Sequence, residues 1–235
     1  MAPPHDDQET HADRFGRRET LVRAGGLAIA VLGAGAAPAG AAPSSADATS
    51  LSCVLAPELT EGPFYIPREK VRRNIREGEP GTALSLRLGV VGSTSCRPVR
   101  GAAVDIWHAD AGGNYSGFDA NGPASRTFLR GIQLTDAAGI ARFDTVYPGW
   151  YPGRAVHIHV KVHVSGRVVH TGQLFFDDAL SDVVFSRRPY NTRGARDVRN
   201  RNDSIFLAAE PRSLLQVKRQ GTGYLGTATM GVRLA

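Results

Sequence analysis

Tyr147-Pro-Gly-Trp-Tyr-Pro-Gly-Arg-Ala-Val-His-Ile-His-Val-Lys-Val-His163 is a Gly/Pro turn region running into a β-branched stretch. The second half reads as a strand. Alternate strand residues share a face, so His157 and His159 point one way and Ile158 the other. Their Cα atoms would lie about 6.5 Å apart, close enough for both imidazoles to meet one metal ion. Residue types alone leave two readings open, a metal-binding pair or the polar face of an ordinary strand. His163 shares the face but would lie about 13 Å beyond His159, which places it outside a common ligand set.

Working outward, the same alternation of short apolar runs and turns recurs. Strands are predicted at residues 84–91, 100–108, 127–135, 140–146, 156–164 and 168–176, with Ser165-Gly-Arg167 as a tight turn between the last two. The chain should be helical or irregular from residue 177 to about 202, with strand-like endings at 204–209 and 223–234. Six or more short strands without amphipathic helices between them predict an all-β fold, an antiparallel β-sandwich with irregular loops and little helix. No repeat or heptad pattern is present, and the oligomeric state stays open.

The remaining ligands have to come from elsewhere. Asp144 and Asp177 are available carboxylates but read as turn formers. Tyr115, Tyr147 and Tyr151 sit in Gly/Pro loops at strand ends, where functional side chains tend to be placed. A phenol has a pKa near 10. Only a strongly Lewis-acidic cation makes a tyrosinate a good ligand near neutral pH, which points to ferric iron.

Three stretches together resemble the intradiol ring-cleavage dioxygenases, the family of the catechol and protocatechuate dioxygenases. They are Glu61-Gly-Pro-Phe-Tyr65, Val104-Asp-Ile-Trp-His-Ala-Asp-Ala-Gly-Gly-Asn-Tyr-Ser-Gly117, and Thr145 to His159 with Arg154 three residues before His-Ile-His. The similarity runs from about Leu59 to Phe176. It implies a mononuclear, non-haem Fe(III) held by Tyr115, Tyr151, His157 and His159. It also implies that Arg154 lies beside the substrate ring, that Gln173 falls near the family's pocket glutamine, and that Tyr65 contributes to substrate binding. Tyr147 has no ligand counterpart and reads as structural or pocket-lining. The implied reaction uses O2 to open a catechol-type ring between its two hydroxyl-bearing carbons, giving a muconate-type diacid, with Tyr151 as both ligand and internal base and Arg154 as the cation that steadies developing charge. The chain departs from the longest members in lacking their extended helical N-terminal domain. Two other readings are a secreted β-sandwich module that binds aromatics without dioxygenase activity, and a zinc or copper site built from the two histidines and a carboxylate.

The first 42 residues read as a signal peptide. Arg17-Arg18 precedes an apolar, Gly/Ala-rich run from Leu27, followed by small residues, which resembles a twin-arginine export signal. The run is too short to favour a membrane span once the signal is removed. Residues 43–50 form a linker, and 51–235 the dioxygenase-like domain. Residues 1–42 hold four Arg and five Asp or Glu, so the net charge of +6 becomes +7 without them. The basic residues are scattered and do not form a stripe, so no nucleic-acid partner is expected. Export makes a disulfide between the two cysteines, Cys53 and Cys96, an expectation, and suits a role in degrading plant-derived phenolics outside the cytoplasm.

Overall fold

The structure, a computed structural model, describes residues 53–67, 69–118 and 125–234. The expected signal, the linker and the first two residues of the domain lie outside these.

Two four-stranded sheets face each other. The first has the order β4-β1-β8-β7, with β1 at Ala83–Gly92, β4 at Ile140–Val146, β7 at Gln216–Gln220 and β8 at Gly223–Val232. The second has the order β3-β2-β5-β6, with β2 at Ala103–Trp107, β3 at Arg130–Leu134, β5 at His157–Val164 and β6 at Arg167–Phe175. The predicted sandwich is therefore present, and the pairing is antiparallel except for β1 against β8, which is parallel. The β5–β6 hairpin turns through Ser165 and Gly166, both at positive φ (51° and 78°), as a two-residue turn matched to strand twist requires.

The core lies between the sheets. Leu84, Leu86, Leu88 and Val90 of β1 and Phe143 of β4 meet Val104 and Ile106 of β2 and Ile158, Val160 and Val162 of β5, all at most 1% exposed. Alternation then forces the histidine face of β5 outward, away from this core. Beyond β1, the Cys53–Cys96 disulfide forms as expected, with Cα atoms 5.0 Å apart.

One expectation fails, and one strand goes beyond those expected. Residues 204–209 form a helix, α2 (Ser204–Ala209), not a strand. The reason is Asp203, whose Oδ1 accepts from the amides of Ile205 (2.8 Å) and Phe206 (3.1 Å), an N-cap that outweighs the local apolar pattern. Strand β7 was not anticipated, because Gln216-Val-Lys-Arg-Gln220 is an exposed edge with a single apolar residue. The helix α1 (Asp178–Phe185) lies within the segment expected to be helical, with Asp177 capping it through a bond from the Leu180 amide. Among the described residues no helix is long and apolar enough to cross a membrane.

Candidate metal centre

The outer face of the second sheet carries the site. Strand register sets Arg130, Trp107, His159 and Gln173 in one row across β3, β2, β5 and β6. His157 pairs with Phe175 at the end of the same face. On an exposed sheet these polar groups would face water. Here a strap covers them: Leu59 N donates to Thr171 O (2.9 Å), Thr60 O accepts from Gln173 Nε2 (2.9 Å), Glu61 pairs with Lys161, and Phe64 O accepts from Arg130 Nη1 (2.6 Å). As a result His157 and His159 are 3% and 1% exposed.

The tyrosines arrive on two loops that lock together. After β2 the chain folds around Asp110, whose Oδ1 accepts from Asn114 N (2.9 Å) and whose carbonyl accepts from Gly113 N and Gly149 N (3.0 Å each). Gly113 has φ +85°, and a Cβ there would stand 2.2 Å from Trp150 O. Glycine thus lets the Tyr115 loop touch the loop that carries Tyr151. Ser116, next to Tyr115, donates to Phe128 O (2.6 Å) and accepts from Arg130 Nε (2.9 Å).

All four predicted ligands come together. Tyr151 Oη lies 3.2 Å from His157 Nε2, and His157 Nε2 lies 3.1 Å from His159 Nε2. The Tyr115 ring centroid is 5.5 Å from that of Tyr151 and 6.0 Å from that of His159. His157 Nδ1 donates to Ala155 O (2.7 Å), and a carbonyl can only accept, so Nε2 carries the lone pair and aims it at His159. His159 stacks on Trp107 at 4.9 Å with planes 3° apart, which fixes its ring. Donor atoms about 3 Å apart match two ligands around a single ion with bonds of about 2.1 Å.

Burial is the main influence on every donor. It pushes the His157 pKa down to about 3, helped by the Arg154 charge, and holds His159 well below its ordinary value. Both imidazoles are therefore neutral, as metal ligands must be. Burial raises Tyr115 well above the ordinary phenol range and also raises Tyr151, with the Arg154 charge opposing the rise at both. Two neutral nitrogens and two phenols that ionise only against strong positive charge suit a trivalent cation. With two tyrosinates and a hydroxide such a centre is neutral overall, so burying it carries no large penalty. The residues fit a mononuclear Fe(III). Among the described residues no group of three or more His, Cys, Asp and Glu side chains is arranged to hold a metal, so the two histidines find no carboxylate partner.

Arg154 stands at the open side of the site, its side chain 17% exposed. Its Nη2 donates to Gln173 Oε1, and its Nε donates to Asp203 Oδ2 at 2.9 Å. Tyr65 reaches the site only indirectly. Its ring packs on Trp107 at 4.9 Å under Lys161 Nζ at 3.9 Å, and burial, then Asp105, pushes its pKa up to about 12. The strap ring in contact with the ligands is Phe64, stacked on Tyr115 at 4.2 Å and 6.0 Å from Tyr151.

Tyr147 is structural: fully buried, with its hydroxyl 2.8 Å from Ser181 Oγ and its ring 4.4 Å from Phe176. Asp144 pairs with Arg73 on β4, and His163 is half-buried near the far end of β5. Sequence reading missed Asp203, Asp110 and the Phe64 stack. Asp203-Ser204 ahead of an apolar run is a helix-start signal that could have flagged the first.

A family profile described as Dioxygenase matches residues 60–190. Catechol 1,2-dioxygenase 1 of Acinetobacter lwoffii is 36% identical over 100 residues, 40% of this chain and 32% of that protein, so the chain spans about a third of this relative's length. Among solved structures, an intradiol ring-cleavage dioxygenase from Tetranychus urticae has a TM-score of 0.73 at 37% identity, covering 77% of this chain and 95% of that one. The dioxygenase domain of a dioxygenase–carbohydrate-binding fusion from Streptomyces sp. SirexAA-E has a TM-score of 0.61 at 32% identity, covering 77% and 99%.

Proposed function

We propose, because this chain belongs to the intradiol ring-cleavage dioxygenase family, that it is an Fe(III)-dependent enzyme that opens a catechol-type ring between its two hydroxyl-bearing carbons, adding both atoms of O2 to give a muconate-type diacid. The observation that carries this reading is that His157 Nε2 lies 3.2 Å from Tyr151 Oη and 3.1 Å from His159 Nε2, beside Tyr115. These four side chains would hold the metal. When bound, Fe(III) would supply a Lewis-acidic centre that draws electron density from the substrate ring and makes it attackable by O2.

The protein's own residues divide the remaining work. His157 and His159 are fixed by Ala155 O and by the Trp107 stack, so they set the ligand geometry. Tyr115 is buried beneath Phe64 and stays in place. Tyr151 is half-buried where Tyr115 is 1% exposed, so it would be the tyrosine within reach of substrate, and its phenolate oxygen would take a proton from a catechol hydroxyl. Arg154, held by Gln173 and Asp203, presents a cation to negative charge developing on the ring. Phe64, with Tyr65 behind it on Trp107, forms the strap-side wall that excludes water.

Export through the N-terminal segment is also proposed. The Cys53–Cys96 disulfide supports it, since such bonds persist in oxidising compartments. The functional test is O2 uptake by the iron-loaded protein across catechol, protocatechuate, hydroxyquinol and larger lignin-derived catechols. The expected outcome is one O2 consumed per ring and a muconate-type absorbance. Extradiol products, or no uptake by a protein carrying one iron, would refute the assignment.

A further inference from the structure

We infer that Asp203 is a positioning residue that holds the Arg154 guanidinium in its working orientation; the inference rests on the proposed dioxygenase reading. Asp203 lies 46 residues beyond His157 in sequence, outside the family-profile match at 60–190, and its carboxylate is 1% exposed.

Each of its oxygens has a separate task. Oδ2 accepts from Arg154 Nε (2.9 Å) and from Ala155 N (2.8 Å). Oδ1 accepts from Ile205 N (2.8 Å) and Phe206 N (3.1 Å), the first turn of α2. One carboxylate thereby ties the arginine side chain, the backbone just before His157 and the start of a helix into a single unit. Burial would raise its pKa, but the Ala155 amide and Arg154 outweigh burial and keep it ionised.

The consequence for Arg154 is geometric. An arginine side chain has several rotatable bonds, and an unclamped one spreads its charge over many positions. Here Nε is fixed by Asp203 and Nη2 by Gln173, whose own Nε2 is anchored to Thr60 O in the strap. Two fixed points on a planar fork define its plane, and the rest of the guanidinium is left to face the site. Four N–H donors converge on the two Asp203 oxygens, so only a carboxylate satisfies the arrangement. An amide would turn its NH2 against one pair of donors.

The test uses Asp203→Asn, Asp203→Ala, Arg154→Ala and the double variants, all loaded with iron. Three quantities are read: kcat and KM for catechol, the anaerobic Kd of 4-nitrocatechol, and the tyrosinate-to-iron absorption band. Asp203→Asn and Asp203→Ala are expected to lower kcat by roughly 10- to 100-fold, as displacement of a catalytic group by about 1 Å does. KM should change less, and the band should keep its wild-type intensity. In the Arg154→Ala background the same changes should cause no further loss, in rate or in 4-nitrocatechol affinity. Equal losses with and without Arg154 would overturn the proposal in favour of a purely structural role for the α2 cap. A folded, iron-loaded Asp203→Asn protein with kcat within twofold of wild type would also overturn it. If the wild type turns over no catechol, the dioxygenase reading itself fails, and the 4-nitrocatechol cycle still decides whether Asp203 acts through Arg154.

Discussion

Loading the iron-free protein with Fe(III) should release protons in a number set by the tyrosines. Ionising a phenol of ordinary pKa at pH 7 costs about 4 kcal/mol, and two cost about 8 kcal/mol. Burial raises the cost for both Tyr115 and Tyr151, with Arg154 offsetting part of it at each. The histidines contribute nothing to the count, since His157, at about 3, and His159, well below its ordinary value, are already neutral. The tyrosines should therefore account for two released protons, and apparent affinity should rise about 100-fold per pH unit below neutrality. The perturbation is Tyr115→Phe, Tyr151→Phe and the pair. Phenylalanine keeps the 4.2 Å stack on Phe64, so the fold should survive. The assay is calorimetric titration with Fe(III) nitrilotriacetate in two buffers of different ionisation enthalpy, alongside the visible absorption band. Water that fills the place of a missing tyrosine can release a proton of its own, so the visible band, which water does not supply, decides the assignment. Each single variant should weaken the band and the double variant should lose it. An unchanged visible band in the double variant would refute the tyrosinate assignment.

Three further outcomes are expected. His108 is fully buried between Ala109 O (2.9 Å) and Thr145 Oγ1 (2.8 Å), and burial pushes its pKa down to about 4. The unfolded chain takes up that proton first, so its contribution is complete above about pH 6.5 and falls by about 3 kcal/mol as pH drops towards 4; urea unfolding of wild type and His108→Gln at pH 7 and 4.5 should show a shallower pH slope in the variant. Reducing the Cys53–Cys96 bridge, which links positions 43 residues apart, should cost roughly 2–4 kcal/mol, visible as a lower Tm in reductant; an unchanged Tm would mean the bond adds no stability. Gly62 sits at φ +69°, and a Cβ there would stand 3.1 Å from His159 Cε1, so Gly62→Ala should lose about 1 kcal/mol and shift the visible band of the iron form, whereas Gly153→Ala, also at positive φ but with open space around it, should lose stability without moving the band.

The histidine pair was legible because its spacing is local, whereas the choice of Tyr115 and Tyr151 over Tyr147 came from the family resemblance. Period-two alternation on β5 places His157 and His159 together whatever the rest of the chain does, and the Pro/Gly loops mark Tyr115 and Tyr151 as strand-end residues. The six central strands were legible for the same reason, since β-branched alternation between turn residues is a short-range signal. The edge strand β7 and the helix α2 were not. The first has too few apolar residues to declare itself, and the second depends on a single capping carboxylate that overrides the pattern following it. Tyr147 and Tyr151 lie four residues apart in similar Pro/Gly surroundings, yet one is buried against Phe176 and Ser181 and the other opens towards the site.

By itself, then, the sequence determined the strand periodicity, the pair of histidines on one face and the presence of tyrosines in the Gly/Pro loops at strand ends. Tertiary structure alone decided that this outward face would be dry. Sheet register aligned Arg130, Trp107, His159 and Gln173 from four separate strands, and the strap sealed them from water. It also decided that Asp203, distant in the chain, would grip Arg154. Desolvation and long-range hydrogen bonds depend on what packs over a residue, and that is set by chain segments far away in sequence.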